Sequence, residues 1–172
     1  MKIFAITHAE KEAGSNPGLT ENGLKDILTR AKELPRDELK NMVVGTGKRF
    51  CEVSFAVRQR LTTLSGHNSI ESVKYSPLLG SADSGKKTET GFEAILADGT
   101  NVPIGDYIGL IGTPGIDLWA WLKSLSEGTL LCTGREFIGA LGVKNAEAGQ
   151  IYVIDTDLKS VSIRTVLAEI QS

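Results

Sequence analysis

KIFAITHAEKEAGSNPGLTENGLKDILTRAKEL, residues Lys2 to Leu34, is the stretch whose reading decides the fold. Ile3 to Ile6 is an apolar run too short for a core helix and long enough for a strand buried on both faces. That strand ends at Thr7 and His8. Polar residues at the carboxyl end of a buried strand sit where open α/β sheets bind ligands, which places His8 for chemistry before any motif is considered. A loop containing Gly14, Ser15, Asn16 and Pro17 follows, and Thr20 then precedes a helical pattern. Leu24, Ile27, Leu28, Ala31 and Leu34 give that helix one apolar face, and Pro35 stops it.

The alternation continues downstream. Met42-Val43-Val44 reads as a second buried strand ending in Gly45-Thr46-Gly47, and Phe50, Val53, Val57, Leu61 and Leu64 predict an amphipathic helix closing near Gly66. Ser69 to Tyr75 predicts a third strand. Strand, turn and helix in repetition favour a largely parallel sheet with helices on its faces. Leu78 to Gly91, polar and glycine-containing, is expected to be a mobile surface loop. Phe92 to Ala97 and Thr100 to Ile104 flank Asp98-Gly99, the signature of a tight hairpin. Together residues 78–105 are expected to form an insertion over the ligand edge of the sheet. Gly105 to Gly115 reads as loop, with a short helical turn at Asp106 to Leu110. Helix over Ile116 to Leu125, strand over Thr129 to Cys132, helix over Phe137 to Leu141 and a strand pair over Ile151 to Ile154 and Val161 to Val166 complete the chain. The expected architecture is a three-layer α/β domain spanning residues 1–172.

With 172 residues and a formal charge of -2, the chain suits one core and carries no basic stripe of the kind that holds nucleic acid. Its apolar runs are shorter than a signal-peptide core or a membrane span, so a soluble, cytoplasmic protein without membrane partners is expected. Cys51 and Cys132 are expected to be buried thiols. No Cys-x-x-Cys pair or histidine cluster accompanies them, so neither a metal site, a disulfide framework nor a cofactor is called for.

A strand ending in histidine, a polar loop and Leu19-Thr20-Glu21-Asn22-Gly23 opening a helix together resemble the start of the histidine phosphatase superfamily, the phosphoglycerate-mutase-like fold. The resemblance implies His8 as a nucleophile toward phosphorus. Arg49, in Gly45-Thr46-Gly47-Lys48-Arg49, matches the second-strand arginine of that family. Its place at a helix start suits a phosphate contact. Phosphoryl transfer makes a simple physical demand: charge spread over three oxygens must meet fixed positive donors, and a poor leaving group needs a proton.

Three positions depart from the family pattern. Thr7 stands where an arginine usually precedes the histidine, and its hydroxyl is the candidate that remains there for phosphate binding. Ser81, in Pro77-Leu-Leu-Gly-Ser81-Ala-Asp-Ser-Gly85, stands where the family places its acidic proton donor; Asp83 and Glu93 are nearby carboxylates that spacing does not separate. Gly134, in Thr133-Gly134-Arg135, falls on the second histidine, and Arg135 beside it offers a guanidinium for the same space. Each lost donor or acid typically costs on the order of 100- to 1000-fold in rate.

The resemblance therefore implies a degenerate member that binds phosphate or a phosphorylated small molecule through His8, Arg49, Arg135 and Thr7, with weak or absent hydrolysis. An active phosphomonoesterase or phosphohistidine phosphatase using His8, and a non-catalytic interaction module, are the competing readings. Plainer roles compete too: a strand-end histidine satisfied by backbone, and solvated arginines at 49 and 135. Gly80 to Lys87 nearly spells a phosphate-cradling loop, but no helix follows it. His67 has no acidic or thiol partner in sequence, and Trp119 and Trp121 read as packing residues.

Overall fold

The structure is a computed structural model and describes residues 1–14, 17–67, 69–80, 85–88, 91–95, 101–105 and 117–164. In chain order its elements begin with β1 (Lys2–Thr7), α1 (Glu21–Arg30), β2 (Asn41–Val44), α2 (Lys48–Ser65) and β3 (Ser72–Tyr75). Three short strands follow: β4 (Gly85–Thr88), β5 (Gly91–Ile95) and β6 (Asn101–Gly105). The chain continues with α3 (Leu118–Lys123), β7 (Thr129–Thr133), α4 (Arg135–Ala140), β8 (Ile151–Asp155) and β9 (Ser160–Ile163).

A six-stranded sheet has the order β3-β2-β7-β1-β8-β9. β3, β2, β7 and β1 run parallel, and β8 and β9 close the edge antiparallel. This is the mostly parallel α/β sheet that the strand and helix alternation predicts. β1 is buried on both faces, and its alternating side chains feed two cores. Phe4 and Ile6 join Met42, Val44, Leu130 and Cys132 under the helical residues Ile27, Val53 and Val57. Ile3 and Ala5 join Val43, Leu131 and Tyr152 under Leu122, Phe137 and Ile138.

Local signals set the helix ends. The Thr20 side chain accepts from Gly23 N to cap α1, and Gly66, at φ 77°, provides the left-handed residue that ends α2. Asp117 caps α3 by accepting from Ala120 N. Two residues assigned to the buried faces of these helices are more open than expected, Leu24 and Leu64 each being 39 % exposed. In α1 the reason is Gly23, which is buried against the Glu10 backbone so closely that a Cβ there would lie 2.1 Å from Glu10 O. The next residue is turned about 100° away from that contact.

The segment after β3 differs from the mobile loop expected of it. Pro77–Leu79 forms a 3-10 turn, and Leu78 and Leu79 are fully buried. Polar neighbours masked an apolar pair that the core takes up. Gly85–Thr88 is a strand, β4, paired antiparallel with β5, which pairs in turn with β6 as the expected hairpin. An edge strand of Gly, Lys and Thr gains its hydrogen bonds from a partner backbone and carries no apolar alternation to announce itself. The Asp98-Gly99 turn, the segment 106–116 with its expected helical turn, and residues 165–166 of the last expected strand lie outside the described residues. Cys51 and Cys132 are both free and buried, and burial pushes the Cys132 thiol up, out of reach of ionisation at neutral pH. Among the described residues no helix is long and apolar enough to cross a membrane.

Candidate functional site

Register brings the site together. β1 and β2 both pair with β7, with Ile6 and Val44 both opposite Cys132, so the carboxyl ends of three parallel strands stop side by side. Backbone bonds continue one step further: His8 N donates to Thr133 O at 3.0 Å and Gly45 N to Cys132 O at 2.9 Å. His8, the Gly45-to-Gly47 turn and Gly134 therefore share one edge of the sheet.

His8 is half-buried, and its Nδ1 lies 2.9 Å from Ala9 O. A carbonyl can only accept, so Nδ1 carries the proton, and the neutral ring presents an unprotonated Nε2. Burial holds His8 below the ordinary imidazole range; the Ala9 hydrogen bond opposes this, while the positive charges of Arg49, Lys11 and Arg135 reinforce it. The ring packs edge-on against Phe50, with centroids 5.5 Å apart at 71°.

Phe50 is the wall that this edge is built around. A Cβ at Gly45, Gly47 or Gly80 would come within 2.8, 3.0 and 2.2 Å of its ring, so three glycines close on one buried aromatic. Arg49 lies over the same ring, its guanidinium carbon 4.3 Å from the centroid. Gly134 completes the enclosure: a Cβ there would stand 3.3 Å from His8 Nε2 and 3.5 Å from Phe50.

A cavity of about 110 Å³ opens between these residues, lined by His8, Lys11, Arg49, Phe50, Gly134, Arg135 and Glu136 among others. Three of the four sequence-selected residues, His8, Arg49 and Arg135, thus meet in one place. Thr7 does not. It is fully buried, and its hydroxyl donates to Glu147 O at 2.7 Å and accepts from Gln150 N at 2.9 Å. The Thr7 hydroxyl, expected from the sequence to bind phosphate, is engaged here with the 147–150 loop. Ser81, Asp83 and the Glu93 side chain lie outside the described residues.

Sequence reasoning missed two charged residues of the cavity. Lys11 sits on the loop after β1, which folds back so that Lys11 bridges Leu19 and Glu12 N donates to Gly18 O. The Glu52 carboxylate of α2 fixes that loop by accepting from Leu19 N at 3.0 Å. Glu136 follows Arg135 in the first turn of α4. Lys11 lies only three residues past His8, the one signal that could have drawn attention to it. No cluster of three or more metal-ligating side chains occurs among the described residues. Among the described residues, the site offers a neutral imidazole, three cations and one carboxylate.

No protein-family model and no curated protein matches this chain. Solved structures do. A candidate alpha-ribazole-5'-P phosphatase from Escherichia coli K-12 matches with a TM-score of 0.55 at 13% identity, covering 96% of each chain. A candidate phosphohistidine phosphatase SixA from Nakamurella multipartitia matches at 0.53 and 13% identity, covering 95% of this chain and 93% of that one. The protein histidine phosphatase SixA complexed with tungstate matches at 0.52 and 16% identity, covering 96% and 95%. Near-complete mutual coverage at TM-scores above 0.5 gives the chain the fold of these solved structures, a phosphoglycerate-mutase-like α/β fold.

Proposed function

We propose that the cavity at the sheet edge is an anion pocket that binds phosphate or a phosphorylated small molecule, with weak or absent hydrolysis. One observation carries the reading: His8, Arg49 and Arg135, chosen from separate parts of the sequence, line a single cavity together with Lys11. Among the described residues that line it, three cations against one carboxylate leave a net local charge of +2 in a chain whose formal charge is -2. A multiply charged oxyanion is the ligand that such a field attracts. Similarity of fold to proteins described as phosphatases, one of them holding tungstate, supports the same class of ligand.

Weak turnover is argued from two sequence positions. Among the described residues that line the cavity no second imidazole accompanies His8, Gly134 standing where the resemblance places one, and in the sequence Ser81 stands where the resemblance places the acid. Each loss typically costs on the order of 100- to 1000-fold, although residues acting as a unit do not multiply cleanly. Isothermal titration with phosphate and vanadate tests the reading. Binding to the wild type, abolished or weakened at least tenfold in Arg49→Ala and Arg135→Ala, is expected; indifference of the affinity to both substitutions would reject the pocket.

A second reading, active phosphoryl transfer, draws on the state of His8. A neutral ring with Nδ1 held by Ala9 is prepared for Nε2 to form an N–P bond as the bond from phosphorus to the leaving group breaks. Intact-mass analysis after incubation with an activated aryl phosphate separates the two readings. A phosphoryl adduct that His8→Ala removes supports transfer, and its absence supports binding alone.

A further inference from the structure

Glu136 is the cavity residue that an anion pocket leaves without a task. It lines the same cavity as His8, Lys11 and Arg135. Lys11, Arg135 and Glu136 are all exposed, and among the described residues none of them forms an ion pair within 4.0 Å. Two cations and a carboxylate therefore converge on one cavity without neutralising each other. For a bare phosphate the carboxylate is a handicap, because like charges sharing one cavity repel. A ligand that carries a cationic nitrogen a few bonds from its phosphorus turns that handicap into a contact: its phosphoryl oxygens meet Lys11, Arg49 and Arg135 while its ammonium meets Glu136.

We propose that Glu136 is a specificity-determining residue that reads a positively charged nitrogen, so that the pocket prefers small phosphorylated amines over phosphate esters with neutral tails. A cavity of about 110 Å³ suits a small molecule. The inference rests on the anion-pocket reading above and adds the second half of the ligand to it.

Titration calorimetry of inorganic phosphate, phosphoethanolamine and glycerol 3-phosphate against wild type and Glu136→Gln decides the matter. The wild type should bind phosphoethanolamine about two- to five-fold tighter than glycerol 3-phosphate, the range expected of one exposed charge pair. In Glu136→Gln that ratio should fall to about one, while inorganic phosphate should bind more tightly because a repelling charge is gone. Equal affinity of the wild type for the two esters, or a preference that survives in Glu136→Gln, would overturn the proposal while leaving the anion pocket standing. Failure of all three anions to bind the wild type would remove the pocket and the proposal together.

Discussion

At the residue scale, the state of His8 decides what the site can do. Its Nδ1 is committed to Ala9 O, and burial with three nearby cations favours the neutral ring. The folded chain thus holds His8 neutral at pH values where the unfolded chain protonates it, near 6.5. Between the ordinary and the depressed pKa the unfolded state binds more protons, so stability rises with pH across that window. Relative to His8→Gln, the wild type should lose stability as pH falls below about 6.5 and level off once the folded-state pKa is passed. NMR titration should find the His8 resonances moving at a pH below 6.5 and shifting upward when phosphate is bound; titration at or above 6.5 in the free protein would contradict the depressed value.

Gly134 makes a companion case. Its φ of -134° is open to any residue, so no backbone strain attends substitution, but a Cβ would press on His8 Cδ2 at 3.2 Å and Nε2 at 3.3 Å. Gly134→Ala should fold with a stability change of about 1 kcal/mol and bind phosphate at least tenfold more weakly. Unaltered binding would mean that the Nε2 face does not meet the ligand. His8, Arg49 and Arg135 were legible because each follows a strand end in its own motif. Thr7 stands apart from them because successive strand residues point to opposite faces, and its side chain faces the 147–150 loop.

At the element scale, the site is held by loops that fasten onto strand ends. Thr7 ties the end of β1 to Glu147 and Gln150, and Gly149 N donates to His8 O at 3.0 Å. Thr7→Val keeps the shape and removes the hydroxyl, leaving the part-buried groups Glu147 O and Gln150 N without that partner. Chemical denaturation should show a loss of about 1 kcal/mol. Phosphate affinity should change less than twofold; a large loss of affinity would restore Thr7 to the binding site. Elements whose apolar pattern was strong, such as β1, α2 and β7, were readable because burial dictates their composition. β4 and the buried turn at Leu78 and Leu79 were not, since one owes its form to a partner backbone and the other to two residues in polar surroundings.

At the scale of the whole molecule, sequence pattern specifies which faces are buried and leaves the order of strands open. Alternation of strands and helices announced a mostly parallel sheet, yet the insertion of β7 between β2 and β1 depends on contacts between residues more than 80 positions apart, as in Ala5 beside Leu131. That insertion is what brings Gly134, Arg135 and Glu136 beside His8 and Arg49. Glu136 became a candidate only with it, because nothing local in the sequence joins α4 to His8 or Arg49. Charge behaves in the same way. A net formal charge of -2 says nothing of a cavity where three cations gather. Thermal unfolding with and without phosphate, in wild type, Arg49→Ala and Arg135→Ala, tests that gathering most directly. Phosphate at about 100 times its dissociation constant should stabilise the wild type by about 2.7 kcal/mol, and both substitutions should erase most of the shift. A wild type whose unfolding temperature ignores millimolar phosphate and vanadate would contradict the anion pocket.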